Sequence, residues 1–161
     1  MRAVKELAGY LIGLLLFVIL IPLLMWKLSG DVHPGTIQTV CFVVLAAVGI
    51  GLSVWSIVYM KKVGKGNPLD AFNHEIAPRT VNLMTEGPYR ICRNPMLFAV
   101  LIYYIGLLIC LQTWKAFAVF MIYFAIMMVQ VNREEQRLEN DFGESYRDYC
   151  KKTKKLIPFI W

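Results

Sequence analysis

Two short polar stretches hold nearly every side chain able to do chemistry. In the first, Arg90, Arg93 and Asn94 stand just before Pro95 and a long apolar run. Pro suits the first turn of a helix and Asn suits its N-cap. Arginines beside a helix N-terminus suit an anionic group, although both arginines can equally snorkel to the headgroups. In the second stretch, Arg133, Glu134 and Glu135 follow the last apolar run directly. Carboxylates at a membrane boundary are costly to desolvate unless paired, and Arg93 and Arg133 are the candidate partners. No metal chemistry is indicated. His33 and His74 share no ligand spacing with each other or with Cys41, Cys92, Cys110 or Cys150. No C-x-x-C occurs, so the cysteines read as free thiols.

The elements that must position these groups come next. The connector from Lys61 to Met96 carries Gly64, Gly66, Pro68, Pro78, Gly87, Pro88 and Pro95, too many breakers and too much length for a passive link. Within it Glu86-Gly87-Pro88-Tyr89 reads as a turn in which Gly takes positive φ. After Asn132, Glu134, Glu135, Leu138, Phe142, Tyr146 and Tyr149 suggest a helix leaving the membrane and then an amphipathic stretch, interrupted at Gly143. Lys151, Lys152, Lys154 and Lys155 read as topology signals that also attract acidic headgroups.

Composition fixes the class. Of 161 residues, 58% are hydrophobic and 17% charged, which argues against a soluble domain and against disorder. The net charge of +6 reflects inner loops and anionic lipid rather than nucleic acid. Leu7 to Trp26 and Thr36 to Met60 are uncharged runs of 20 and 25 residues, long enough to cross a bilayer, with Pro22 a candidate kink in the first. Leu97–Leu111 and Ala116–Val131, parted by Gln112-Thr113-Trp114-Lys115, read as a short hairpin. With four spans, 15 basic residues fall on one side and only Lys27 and Lys115 on the other. The positive-inside rule therefore predicts both termini in the cytoplasm, and a prokaryotic inner membrane fits. The first span is too long for a cleaved signal. The expected fold is all-α and polytopic, with four transmembrane helices, residues 1–60 a two-helix membrane segment and 61–161 the core that holds the polar groups.

The stretch Leu83-Met84-Thr85-Glu86-Gly87-Pro88-Tyr89-Arg90-Ile91-Cys92-Arg93-Asn94-Pro95-Met96 resembles the signature of the isoprenylcysteine carboxyl methyltransferase and phospholipid N-methyltransferase families. Glu134-Glu135, Leu138, Phe142-Gly143, Tyr146, Tyr149 and Ile157-Pro158 resemble their tail. The resemblance implies an integral membrane enzyme using S-adenosylmethionine, with residues 61–161 as the catalytic core and a cytosol-facing cofactor pocket closed by the C-terminal amphipathic helix. By position, Leu83, Met84, Tyr89, Arg93, Asn94, Pro95 and Glu134 would bind the cofactor. Glu134 and, by its charge, Arg133 would act at the reaction. Asn94 replaces the His usual in prenylcysteine enzymes, and Leu97 replaces a Tyr. Gln130 stands where those enzymes place a substrate-contacting Arg. The implied acceptor is a lipophilic or lipidated molecule, either a prenylcysteine-type carboxyl or a lipid amine, with membrane lipids as partners and no nucleic acid.

The chemistry needs little more. Methyl transfer from a sulfonium disperses charge, so positioning and a dry pocket matter more than a strong base. Glu134 can orient the cofactor or take a proton from an amine, and Arg133 can hold an anionic headgroup. Two other readings compete. Tyr146-Arg147-Asp148-Tyr149-Cys150 resembles the tail of sterol reductases, which use NADPH, and a small non-catalytic membrane protein would share the hydropathy.

Overall fold

The computed structural model describes residues 13, 15–65 and 80–158. The start of the first expected span, His74, Arg79 and Trp161 lie outside them. The described residues are helical with no strand: α1 (Leu15–Ser29), α2 (Thr36–Gly64), α3 (Pro95–Leu111), α4 (Trp114–Phe142) and α5 (Glu144–Lys152), with a short 3-10 turn at Gly87–Arg90. Of these, α2 and α4 are long and apolar enough to cross a membrane, while α1 and α3 are shorter apolar helices.

Only 11% of the apolar window of α2 is buried inside the protein. Val40, Val44, Val48 and Trp55 lie exposed along it. A core helix of a soluble protein would cover such side chains, whereas a lipid-facing one leaves them bare. The face that α2 does bury lies on α3. That contact depends on Gly49, where a Cβ would stand 2.6 Å from the Ala99 carbonyl oxygen. A backbone atom cannot swing aside as a side chain can. Gly49→Ala is therefore expected to part the two helices and cost about 1–3 kcal/mol, read as a lower thermal midpoint in detergent.

The kink expected at Pro22 takes a definite form. Leu15–Leu20 is wound as a π-helix before the α-helix Ile21–Ser29. Pro22 has no N–H, so it serves neither the Val18 carbonyl (α register) nor the Phe17 carbonyl (π register). Tyrosines of α3 supply the missing donors: Tyr103 donates to Val18 O at 3.3 Å and Tyr104 to Phe17 O at 2.8 Å. Tyr104 also stacks on Tyr123 of α4, with ring centroids 4.8 Å apart. These groups, with Met25, Leu107 and Leu111, form the apolar core.

The α3–α4 hairpin is tighter than its sequence suggests. Gln112 takes a left-handed conformation, and the Thr113 side chain caps α4 by accepting from Ala116 N, so Trp114 and Lys115 are already helical. At its other end α4 continues well past the apolar run, through good helix formers, to Phe142. Gly143, with φ +54°, then turns the chain into α5 as the sequence predicts. Beyond α5, Leu156 is fully buried against Leu97, Leu101 and Val131. The tail is thus packed back onto α3 near its start and onto α4 at the end of its apolar run.

Candidate functional site

The connector and the tail meet. Gly87 opens the turn with φ +61°, and its missing Cβ leaves room for the Tyr59 ring, which a Cβ would approach to 2.6 Å. Glycine alone meets both demands. The turn delivers Tyr89 into a buried cluster with Met60, Met84, Tyr146 and Tyr149. Just before it, Val81 N donates to Gly64 O and Asn82 Nδ2 to Val63 O, both at 2.9 Å. These bonds tie the connector to the end of α2, so that Leu83 and Met84 turn inward.

The tail is held over this turn by a polar latch. Arg93 Nε donates to Glu135 Oε1 at 2.8 Å, and its Nη1 donates to Thr153 O at 2.7 Å. Arg93 N donates to Lys154 O at 2.8 Å, and Asn94 Nδ2 to Lys155 O at 3.0 Å. Lys155 Nζ returns to Asn132 Oδ1 and to Glu135 Oε2, at 2.6 and 2.8 Å. Tyr149 donates from its hydroxyl to Tyr89 O at 2.6 Å. The charged members lie mostly out of solvent, with side-chain exposures of 14% for Arg93, 16% for Glu135 and 19% for Lys155. Such a pair persists only because further hydrogen bonds satisfy it.

Two readings of the sequence change here. Asn94 precedes α3 but makes no side-chain cap; its amide is drawn to the tail instead. Arg93, half of the expected anion site, is committed to Glu135 and to tail carbonyls. Of the two carboxylates it was offered, it takes Glu135 and leaves Glu134 to the cavity.

That cavity, about 220 Å³, lies between connector, tail, the start of α3 and the stretch of α4 from Tyr123 to Leu138. Leu83, Met84, Tyr89, Arg93, Asn94, Pro95 and Glu134 all line it. Arg133 does not: it is exposed, about 100° around the helix from Glu134. Arg90 is exposed as well. The cavity also takes in residues the motifs did not single out, among them Phe17, Met60, Thr80, Tyr123 and Met127. Their signal is weak, since an apolar side chain facing a cavity looks in sequence like one facing lipid. Gln130 carries a stronger one. It is a lone amide at the end of an apolar run, four residues before Glu134, and so on the same helix face.

Polar groups facing the cavity lack mates. Gln130 Oε1 and the Tyr146 hydroxyl are buried without a hydrogen-bond partner among the described residues. Buried polar atoms are rarely left so unless a ligand or water completes them. Glu134, three residues beyond Val131 and so past the apolar run, faces Arg137 Nη2 at 3.6 Å among the described residues. Its side chain keeps 39% of its surface accessible and lines the cavity. Enclosure by protein, with Glu135 beside it, therefore still holds its carboxyl above the usual carboxylate range. Burial likewise pushes the Tyr89 phenol up, so it stays neutral.

The residues present fit a nucleoside-bearing sulfonium. Met84, Leu83 and tyrosine rings offer apolar and aromatic surface for a flat base and a positive sulfur. Glu134 and Gln130 offer acceptors for hydroxyl or ammonium groups.

Residues 37–145 match a family model described as phospholipid methyltransferase. No curated protein and no solved structure matches the chain.

Proposed function

The chain belongs to the phospholipid methyltransferase family, and from that premise we propose that it is an S-adenosylmethionine-dependent methyltransferase acting on a lipophilic amine. Four spans with both termini in the cytoplasm would set the cavity at the inner face of the membrane, where 15 of its 17 basic residues fall. The observation that carries the reading is the cavity that brings Leu83, Met84 and Tyr89 of the connector together with Glu134 of α4.

S-adenosylmethionine, when bound, supplies a methyl group on a positively charged sulfur. Leu83, Met84, Tyr89 and Pro95 would hold it through apolar and backbone surface, and Tyr146 would give its unpartnered hydroxyl to a polar edge. Arg93 and Asn94 act one step back, keeping the tail closed and water out. Excluding water strengthens the remaining electrostatic contacts.

An amine suits the acceptor end of the cavity better than a carboxylate. Gln130 Oε1 and the Glu134 carboxylate accept hydrogen bonds. Arg93 is occupied by Glu135 and Thr153, and Arg133 lies outside the cavity. A carboxylate would face acceptors with no cation committed to it, whereas an amine donates to both. Glu134, with its raised proton affinity, would take the proton the amine releases. Arg133, exposed at the boundary, would hold an anionic headgroup.

The test is labelling of membranes holding the protein with methyl-labelled cofactor, followed by lipid extraction and calorimetry of the purified chain. The reading expects a labelled amine lipid, binding of S-adenosylhomocysteine and no binding of NADPH. NADPH binding with no label would favour a reductase and reject the methyltransferase reading.

A further inference from the structure

The cavity continues inward beyond the reacting groups. Along α4 it is lined by Glu134, Gln130, Met127 and Tyr123, which follow one another at helical spacing along one face. From Glu134 to Tyr123 is a rise of about 16 Å. Polar character ends at Gln130; inward of it the lining is Met127, Val100 and Phe17. The passage then stops. Tyr123 packs against Phe17 at 5.8 Å and stacks on Tyr104 at 4.8 Å. The Tyr104 hydroxyl is bonded to the Phe17 carbonyl that Pro22 leaves without a donor. The floor is therefore fixed by packing and by a hydrogen bond, and is not a loose contact.

Resting on the amine methyltransferase reading, we infer that this inward arm takes one hydrocarbon chain of the acceptor, and that Phe17 and Tyr123 gauge its length. Three features point to a chain rather than to a second polar group. Apart from the Tyr123 hydroxyl, the side chains named along the arm are apolar. The arm opens at the unpartnered Gln130 oxygen, where an amine head would sit. It runs alongside α4, a helix long and apolar enough to cross a membrane. Its depth sets the gauge. Tyr123 lies eight residues before Val131, about 12 Å inside the apolar boundary. That falls short of the ~15 Å of one leaflet, half of a ~30 Å hydrocarbon core. Phe17 and Tyr123 are specificity-determining residues on this account, remote from the transferred methyl.

The experiment offers octyl-, dodecyl- and hexadecylamine to the protein in nanodiscs and compares kcat/KM within each variant, so that partial loss of folded protein cancels. In the unaltered chain dodecylamine is expected to exceed hexadecylamine by at least about tenfold, the scale on which apolar pockets discriminate. Tyr123→Ala and Phe17→Ala should erase that preference, and Val100→Phe should move the optimum to octylamine. A second readout does not depend on turnover: a fatty amine with a diazirine at its chain end should crosslink to the peptides holding Phe17 and Tyr123. An unchanged length profile in all three variants, or crosslinks elsewhere, would overturn the gauge while leaving methyl transfer standing. Failure to bind S-adenosylhomocysteine or to methylate any lipid would instead reject the reading beneath it.

Discussion

Glu134→Gln should lower methyl transfer at least about a hundredfold, the lower end of what a positioned proton acceptor contributes. The substitution keeps the shape of the side chain and its place on α4. It removes the negative charge that faces the cavity and the only carboxylate there not claimed by the Arg93–Lys155 latch. Protonation of the native residue should do the same. Because enclosure and Glu135 raise its proton affinity, activity should fall on acidification at a pH above the ordinary Glu value of ~4.3. The acidic limb should be absent from the residual activity of the Gln variant. The pH profile separates a chemical role from a structural one, since loss of packing would scale the whole profile without moving its midpoint.

Arg93→Ala should be the most damaging single change in the latch that holds the tail over the cavity. It leaves Glu135 with Lys155 as its remaining ion-pair partner and strips Thr153 O of its donor. Because Lys155 still compensates Glu135, the cost should fall below the ~3–5 kcal/mol of leaving a buried charge wholly unpaired. The loss should show as a lower thermal midpoint and as faster amide exchange through residues 144–156, with S-adenosylhomocysteine affinity falling in parallel. Arg93→Lys should recover little, because one ammonium cannot reach Glu135 and Thr153 in the two directions the guanidinium does. Normal exchange in the tail of the Ala variant would mean that packing of Leu156 and Tyr149 holds it without the latch.

The sequence was most legible where the physics is local. Uncharged runs marked α2 and the α3–α4 hairpin, Gly87 marked a turn with positive φ, Pro95 the start of α3 and Gly143 the end of α4. The sequence offers a boundary carboxylate either Arg93 or Arg133 as a partner, and the fold pairs Glu135 with Arg93. What could not be read depends on contacts between residues far apart in the chain. Asn94 looks like a cap until Lys155 arrives beside it. Lys155 looks like a topology signal until it is found bridging Asn132 and Glu135. Tyr103 and Tyr104 look like ordinary apolar-run aromatics, yet they donate to the carbonyls that Pro22 orphans 85 and 87 residues away. The inward arm of the cavity was invisible for the same reason: Phe17, Val100 and Tyr123 belong to three helices whose sequences say only that they are apolar. Leu83, Met84, Tyr89, Arg93, Asn94, Pro95 and Glu134 came from resemblance to a family pattern, and the fold brings all seven to one cavity. Arg133, suggested by its charge and not by that pattern, is not among the lining residues: it is one residue from Glu134 but on another face.

Photolabelling with an azido analogue of S-adenosylmethionine, followed by peptide mapping of the protein in nanodiscs, tests the central claim most directly. The account predicts label on the segments holding Met84–Tyr89 and Gln130–Glu134, competed away by S-adenosylhomocysteine. Label confined to other segments, or no competable label on protein that remains folded, would contradict it.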